Sequence, residues 1–203
     1  MIKAIIFDFA GVLSNTGSLH LTIVDYAKKH GKDPETAYQV LQENWKKAKI
    51  NQISSETFWK NLAQHLQAAP NELREHCMNY FGFRDETLEL AKKLKTHYKL
   101  GLLSNQIEDW LEEVIKKHHL NEVFDVIVTS YNSRIAKPDP AIFKEMVKKL
   151  DTNPEECIYI YIYIYIDDEE KNISPAQHLG MKTILFKNIG QVKKKLISYG
   201  VES

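Results

Sequence analysis

The chain lacks the marks of several functional classes. Of its 203 residues only two are cysteines, Cys77 and Cys157, far apart and in no C-x-x-C pair. That argues against a disulfide framework or a cysteine-based zinc site, and fits buried thiols in a reducing compartment. None of the eight histidines falls in an HExxH or HxxxH spacing. His118-His119 reads as a helix-end pair facing carbonyls and solvent. No run of about 20 apolar residues exists, so no membrane span is expected. The apolar start, MIKAIIFDFAGVL, is interrupted by Asp8 and too short for a signal peptide with its cleavage site. Neither charge dominates, with Lys plus Arg at 27 and Asp plus Glu at 27. Without a basic excess, neither nucleic acid nor membrane is expected as a partner. The KKK run at 193–195 reads as a solvated helix face. A cytoplasmic soluble protein is expected, long enough for one sizeable core and a modest insertion.

What is present is organised in two styles. The apolar run Lys3–Phe9 reads as a buried parallel strand that delivers Asp8 at its carboxyl end, with Gly11 supplying the turn. From about 15 to 84 the spacing is helical throughout. Leu19, Ile23 and Ala27 mark one helix, and Pro34 opens another through Tyr38, Leu41 and Trp45. Ser54 or Ser55 caps a third with Phe58, Trp59, Leu62 and Leu66 on its apolar face, and Pro70 opens a fourth. After residue 85, helices alternate with the strands Lys99–Ser104, Val126–Thr129, the Ile/Tyr run and Lys182–Phe186. Alternation of this kind predicts an α/β fold with a parallel sheet, whose functional groups gather at the carboxyl ends of the strands.

One segment is anomalous. Residues 158–166 read IYIYIYIYI. With Cys157 they predict a ten-residue strand of roughly 33 Å, against a usual length of about 17–20 Å. A buried parallel strand does not normally place tyrosine at every position of one face. The repeat reads as a dipeptide expansion, an introduced change or a copying fault, and not as a functional element.

Polar groups stand at four strand ends: Asp8; Ser104 and Asn105; Lys137, shortly after Val126–Thr129; and Asp167 with Asp168. Taken singly, each has an ordinary structural reading as a turn residue, helix cap, surface charge or acidic helix entry. The topology predicts that all four meet at one edge of one sheet.

Across nearly the whole chain these residues resemble the haloacid dehalogenase superfamily. IIFDFAGVL is similar to its first motif, GLLSN to its second, AKPDPAIF to its third and IDDEEKN to its fourth. The resemblance implies a Rossmann-like core of three α/β/α layers over 1–14 and 85–203, with a small all-helical cap over 15–84. It implies a magnesium-dependent phosphatase, a monomer or homodimer, acting on a small phosphate ester, with a sugar phosphate favoured. Asp8 would be the nucleophile. Mg2+ would be held by Asp8, the main-chain carbonyl of Ala10 and Asp168. Asp167 would hold a metal-bound water, and Asn172 would support the fourth motif from behind. Ser104 and the Asn105 main-chain N–H would bind the phosphoryl oxygens. Lys137 would orient Asp8 and stabilise developing charge.

One position departs from the family pattern. Its phosphatases usually carry an acid two residues after the nucleophile, to protonate the leaving oxygen. Here that position is Ala10. Such acid–base help is worth about 10²–10⁴ in rate. A non-catalytic binding protein and a 2-haloacid dehalogenase are therefore the alternative readings. Trp45, Phe58 and Trp59 are candidate substrate contacts in the cap, although their spacing also predicts packing within it.

Overall fold

The structure, a computed structural model, describes residues 1–15, 18–162 and 174–202. Along the chain run β1 (Ala4–Asp8), α1 (Leu19–Lys29), α2 (Pro34–Ala48), α3 (Ser55–Leu66), α4 (Pro70–Tyr80) and α5 (Asp85–Leu94). They are followed by β2 (Lys99–Ser104), α6 (Glu108–Lys117), α7 (Leu120–Val123), β3 (Val126–Thr129), α8 (Ser130–Ser133) and α9 (Pro140–Lys149). The chain continues through β4 (Cys157–Tyr161), α10 (Ser174–His178), β5 (Lys182–Leu185) and α11 (Ile189–Ser198).

The five strands form one parallel sheet in the order β3-β2-β1-β4-β5. β1 lies at its centre with all five residues buried. Period-2 alternation sorts its side chains: Ile5 and Phe7 face one apolar cluster, Ala4 and Ile6 another. α5, α6 and α11 cover the first face through Leu88, Leu94, Leu111 and Leu196. α9 and α10 cover the second through Phe143, Met146 and Ala176. Helices on both faces of a parallel sheet give the three-layer, Rossmann-like α/β architecture. None of the described helices is long and apolar enough to cross a membrane.

α1–α4 form a separate apolar cluster around Ile23, Phe58, Leu62, Leu66 and Leu73. Each such side chain, fully buried, contributes about 1.5–3 kcal/mol. Ser18, Asp33 and Ser54 accept main-chain N–H bonds at the starts of α1, α2 and α3, and Pro34 and Pro70 open α2 and α4. Ile107 and Trp110, at the start of α6, complete this cluster and tie it to the sheet layer. The two connections between the layers run side by side. Asn15 N donates to Gly82 O at 3.0 Å, and Arg84 N donates to Leu13 O at 2.7 Å.

Several boundaries differ from the sequence expectation. β1 ends at Asp8, because the Phe9 carbonyl accepts from Val12, Leu13 and Ser14 N–H and turns the chain. The ten-residue Ile/Tyr strand is not seen: β4 stops at Tyr161, level with the ends of its neighbours β1 and β5. Residues 163–173, which include Asp167, Asp168 and Asn172, lie outside the described residues. The four-residue helices α7 and α8 went unpredicted, being too short to show a helical period.

Candidate active site

β1 delivers Asp8 to the carboxyl edge of the sheet, and the turn that follows sets its surroundings. Gly11 sits at φ +73°, and a Cβ there would come within 2.7 Å of the Ile162 side chain. Its N–H donates to Ser14 Oγ at 3.0 Å. Asp8 Oδ1 accepts the Phe9 N–H at 2.8 Å and pairs with Lys137 Nζ at 2.7 Å. Asp8 Oδ2 accepts only from the Tyr159 hydroxyl, at 3.3 Å, among the described residues, so it is the less committed oxygen.

Lys137 is mostly buried, with its side chain 15% exposed, contrary to its bland reading as a surface charge. Its ammonium uses all three donors, on Asp8, on the Leu103 carbonyl at 3.0 Å and on the Tyr159 hydroxyl at 2.9 Å. Burial pushes its pKa below the ordinary lysine value, and the neighbouring Asp8 carboxylate partly offsets that. Asn105 fixes the lysine's backbone from β2. Its Nδ2 donates to Lys137 O at 2.8 Å, and its Oδ1 accepts from Lys137 N at 2.9 Å. The helix-cap reading of Asn105 is thereby replaced, and α6 has Ile107 at its N-cap, with no side-chain cap bond. The peptide bond from Lys137 to Pro138 is cis.

Ser104 ends β2 with a hydroxyl that is buried and has no protein partner among the described residues. A buried hydroxyl without a partner is costly, and a ligand oxygen would satisfy it. Asp8, Ser104, Asn105 and Lys137 therefore converge at one sheet edge, while the fourth expected group, Asp167 with Asp168, lies outside the described residues.

Tyr159, from the Ile/Tyr repeat that carried no functional expectation, also reaches this cluster. Alternation along β4 puts its isoleucines on one face of the sheet and Tyr159 and Tyr161 on the other. Tyr159 packs edge-on against Phe143, and its hydroxyl bridges Lys137 and Asp8. Burial and the Asp8 charge hold its pKa well above the ordinary tyrosine value, so the hydroxyl stays protonated.

A cavity of about 160 Å³ lies between the sheet edge and the helical layer and reaches the turn after Asp8 at Ala10. Ala10, Asn105, Gln106 and Trp110 form its floor, while α1 and α2 supply side chains that include Leu41 and Trp45. Of the three expected aromatic contacts, Trp45 lines this space. Phe58 and Trp59 are packed inside the helical cluster, and Trp59 Nε1 donates to Asp109 at 3.1 Å.

The described part of the expected metal donor set, the Asp8 carboxylate with the Ala10 carbonyl, is all oxygen and suits a hard cation. Among the described residues no three His, Cys, Asp or Glu side chains cluster as metal ligands. The register pairs Phe7 with Ile160, so Tyr161 is the β4 residue level with Asp8, and Asp167 follows six residues later.

Comparison with known proteins agrees with this architecture. The chain is 29% identical over 204 residues to glyceraldehyde 3-phosphate phosphatase of Pyrococcus furiosus, covering 92% of this chain and 81% of that protein. It is 25% identical over 188 residues to pyrophosphatase PpaX of Bacillus thuringiensis, covering 90% and 82%. In fold it is similar to an HAD family enzyme of Bacteroides thetaiotaomicron solved in complex with magnesium and inorganic phosphate. The TM-score is 0.73 at 23% identity, over 92% of this chain and 95% of that one. A predicted HAD-like hydrolase of Porphyromonas gingivalis superposes at TM-score 0.77 and 21% identity over the full length of both chains. The family model for haloacid dehalogenase-like hydrolases matches residues 5–186, and the chain belongs to that family.

Proposed function

We propose that this protein is a phosphomonoester hydrolase that works through an aspartyl-phosphate on Asp8. The observation that carries the reading is the largely buried Asp8–Lys137 pair, with the Ser104 hydroxyl unpartnered among the described residues. The carboxylate is a nucleophile held in place on one oxygen, with the other less committed. Asp8 Oδ2 attacks phosphorus, the ester oxygen leaves, and water then releases inorganic phosphate. Lys137 keeps the carboxylate oriented and brings positive charge to the transferring group, while Ser104 donates to a phosphoryl oxygen. The phosphatases among its relatives support the reaction class.

Mg2+ is the proposed cofactor, held by Asp8, the Ala10 carbonyl and Asp168. Bound there, it would offset the repulsion between a carboxylate and an anionic phosphate. Residues 15–84 are proposed to act as a cap over the core of 1–14 and 85–203, closing the cavity over a small ester. The dehalogenase alternative would need a cation for the substrate carboxylate, and the described cavity wall contains no lysine or arginine.

The test is phosphate release from a panel of small phosphomonoesters with and without magnesium, beside Asp8→Asn. Magnesium-dependent release that disappears in Asp8→Asn is expected. Release that survives in Asp8→Asn would refute the assignment.

A further inference from the structure

The cavity beside Ala10 presents more apolar than polar surface. Several of its polar wall groups are partly engaged within the protein. The Tyr38 hydroxyl accepts from the Gln42 amide, and the Asn105 amide is spent on the Lys137 backbone. Gln106 Oε1 accepts from Ile107 N, and Ser18 Oγ accepts from His20 N. The His20 ring lies 3.9 Å from the Tyr38 ring, and burial lowers its pKa, so it is neutral near pH 7. The rest of the wall is Leu19, Leu41, Trp45, Phe81, Trp110 and Ala10, with no charged residue among the described residues. Sugar hydroxyls placed here would find fewer hydrogen-bond partners than in water, while an apolar ring would gain from burial against the apolar wall. An apolar cavity of roughly 150 Å³ stays dry and takes up benzene, so about 160 Å³ fits one six-membered ring.

A second observation concerns the leaving oxygen. Ala10 is the wall residue beside Asp8 in sequence, and its methyl group has no proton to give. The transition state of phosphoryl transfer is loose, so charge collects on the leaving oxygen. An alkanol, nearly as weak an acid as water, needs that proton far more than a phenol, whose pKa is about 10.

Resting on the phosphatase reading, we propose that the substrate is an aryl phosphate with a single, largely apolar ring, which occupies this cavity and leaves unprotonated. An Asp8 oxygen forms the new bond to phosphorus as the bond to the aryl oxygen breaks, and the electron pair departs with the aryloxide. Water then forms a bond to phosphorus and the bond to Asp8 breaks. The released water proton goes to solvent or to the aryloxide, and the products are a phenol and inorganic phosphate.

The test uses the full chain with magnesium present throughout. kcat/KM is measured for phenyl phosphate, 4-nitrophenyl phosphate, glycerol 3-phosphate and glucose 6-phosphate. Binding of phenylphosphonate and methylphosphonate is followed by tryptophan fluorescence, since Trp45 and Trp110 line the cavity. Phenyl phosphate is expected to exceed both alkyl esters by ~100-fold or more, the lower end of what general acid catalysis supplies. Phenylphosphonate is expected to bind roughly tenfold or more tightly than methylphosphonate, as burial of a ring requires. Leu41→Phe, which fills the cavity, should narrow both ratios. Alkyl esters turned over as well as phenyl phosphate would overturn the aryl assignment and leave the phosphatase reading standing. Equal affinity for the two phosphonates would overturn it whatever the turnover. No turnover of any ester, 4-nitrophenyl phosphate included, would overturn the phosphatase reading and the substrate assignment with it.

Discussion

Lys137 Nζ lies 2.7 Å from Asp8 Oδ1, with the two side chains only 15% and 8% exposed. A buried ion pair adds little net stability, but removing one partner strands the other charge at a cost of about 3–5 kcal/mol. Lys137→Met should therefore lower both stability and turnover. The double variant Asp8→Asn, Lys137→Met should recover most of the stability and none of the activity. Denaturant unfolding beside the phosphate-release assay checks this. Equal unfolding midpoints for the single and double variants would count against a coupled pair.

Tyr159 gives the lysine its third acceptor and gives Asp8 Oδ2 its donor. Tyr159→Phe removes both bonds and keeps the packing against Phe143. The expected stability cost is about 1–3 kcal/mol, because a buried ammonium loses an acceptor. A positioning role requires kcat to fall with KM little changed. A variant that only lowers the melting temperature, at full kcat, would reduce Tyr159 to a packing residue.

The β4 register suggests a deletion. Removing residues 161–166 joins Ile160 directly to Asp167, and the pairing of Phe7 with Ile160 would then place Asp167 level with Asp8, where Tyr161 now stands. Two carboxylates at one strand-end level make a better oxygen site for Mg2+. Calorimetric titration should show tighter magnesium binding in the shortened chain. Unchanged affinity would mean that the acids do not depend on the strand end for their placement.

Burial raises the Cys77 thiol pKa to about 12 and also raises that of Cys157. The thiolate is the reactive form, so at pH 8 only about one Cys77 in ten thousand is reactive. Native protein at pH 8 should take up a thiol reagent only as fast as it opens, and fully in denaturant. Rapid labelling of either cysteine in the folded state would contradict their placement in the core.

The parallel α/β architecture and several of the site's residues were legible in the sequence because both depend on short-range signals. The apolar run before Asp8, the alternation after residue 85 and the polar residues at strand ends are all local patterns. Ser104, Asn105 and Lys137 were singled out this way, and the structure brings them together with Asp8. The use Asn105 makes of its side chain was not legible, because its partner is 32 residues away. Tyr159 was passed over because a dipeptide repeat carries no information about which copy faces a charge. Only the β1–β4 register singles out that copy. The cavity was likewise hidden, since Trp45 and Phe58 share the same helical spacing signal and only packing separates them.

The central claim is that phosphorus is transferred to Asp8, and the most direct test traps that state. Protein quenched in acid during turnover of a phosphomonoester, with magnesium present, would be digested and mapped by mass. The account predicts one phosphoryl group on the peptide carrying Asp8, absent in Asp8→Asn and absent without substrate. Phosphate release with Asp8 unmodified throughout, or a phosphoryl group on another residue, would contradict it.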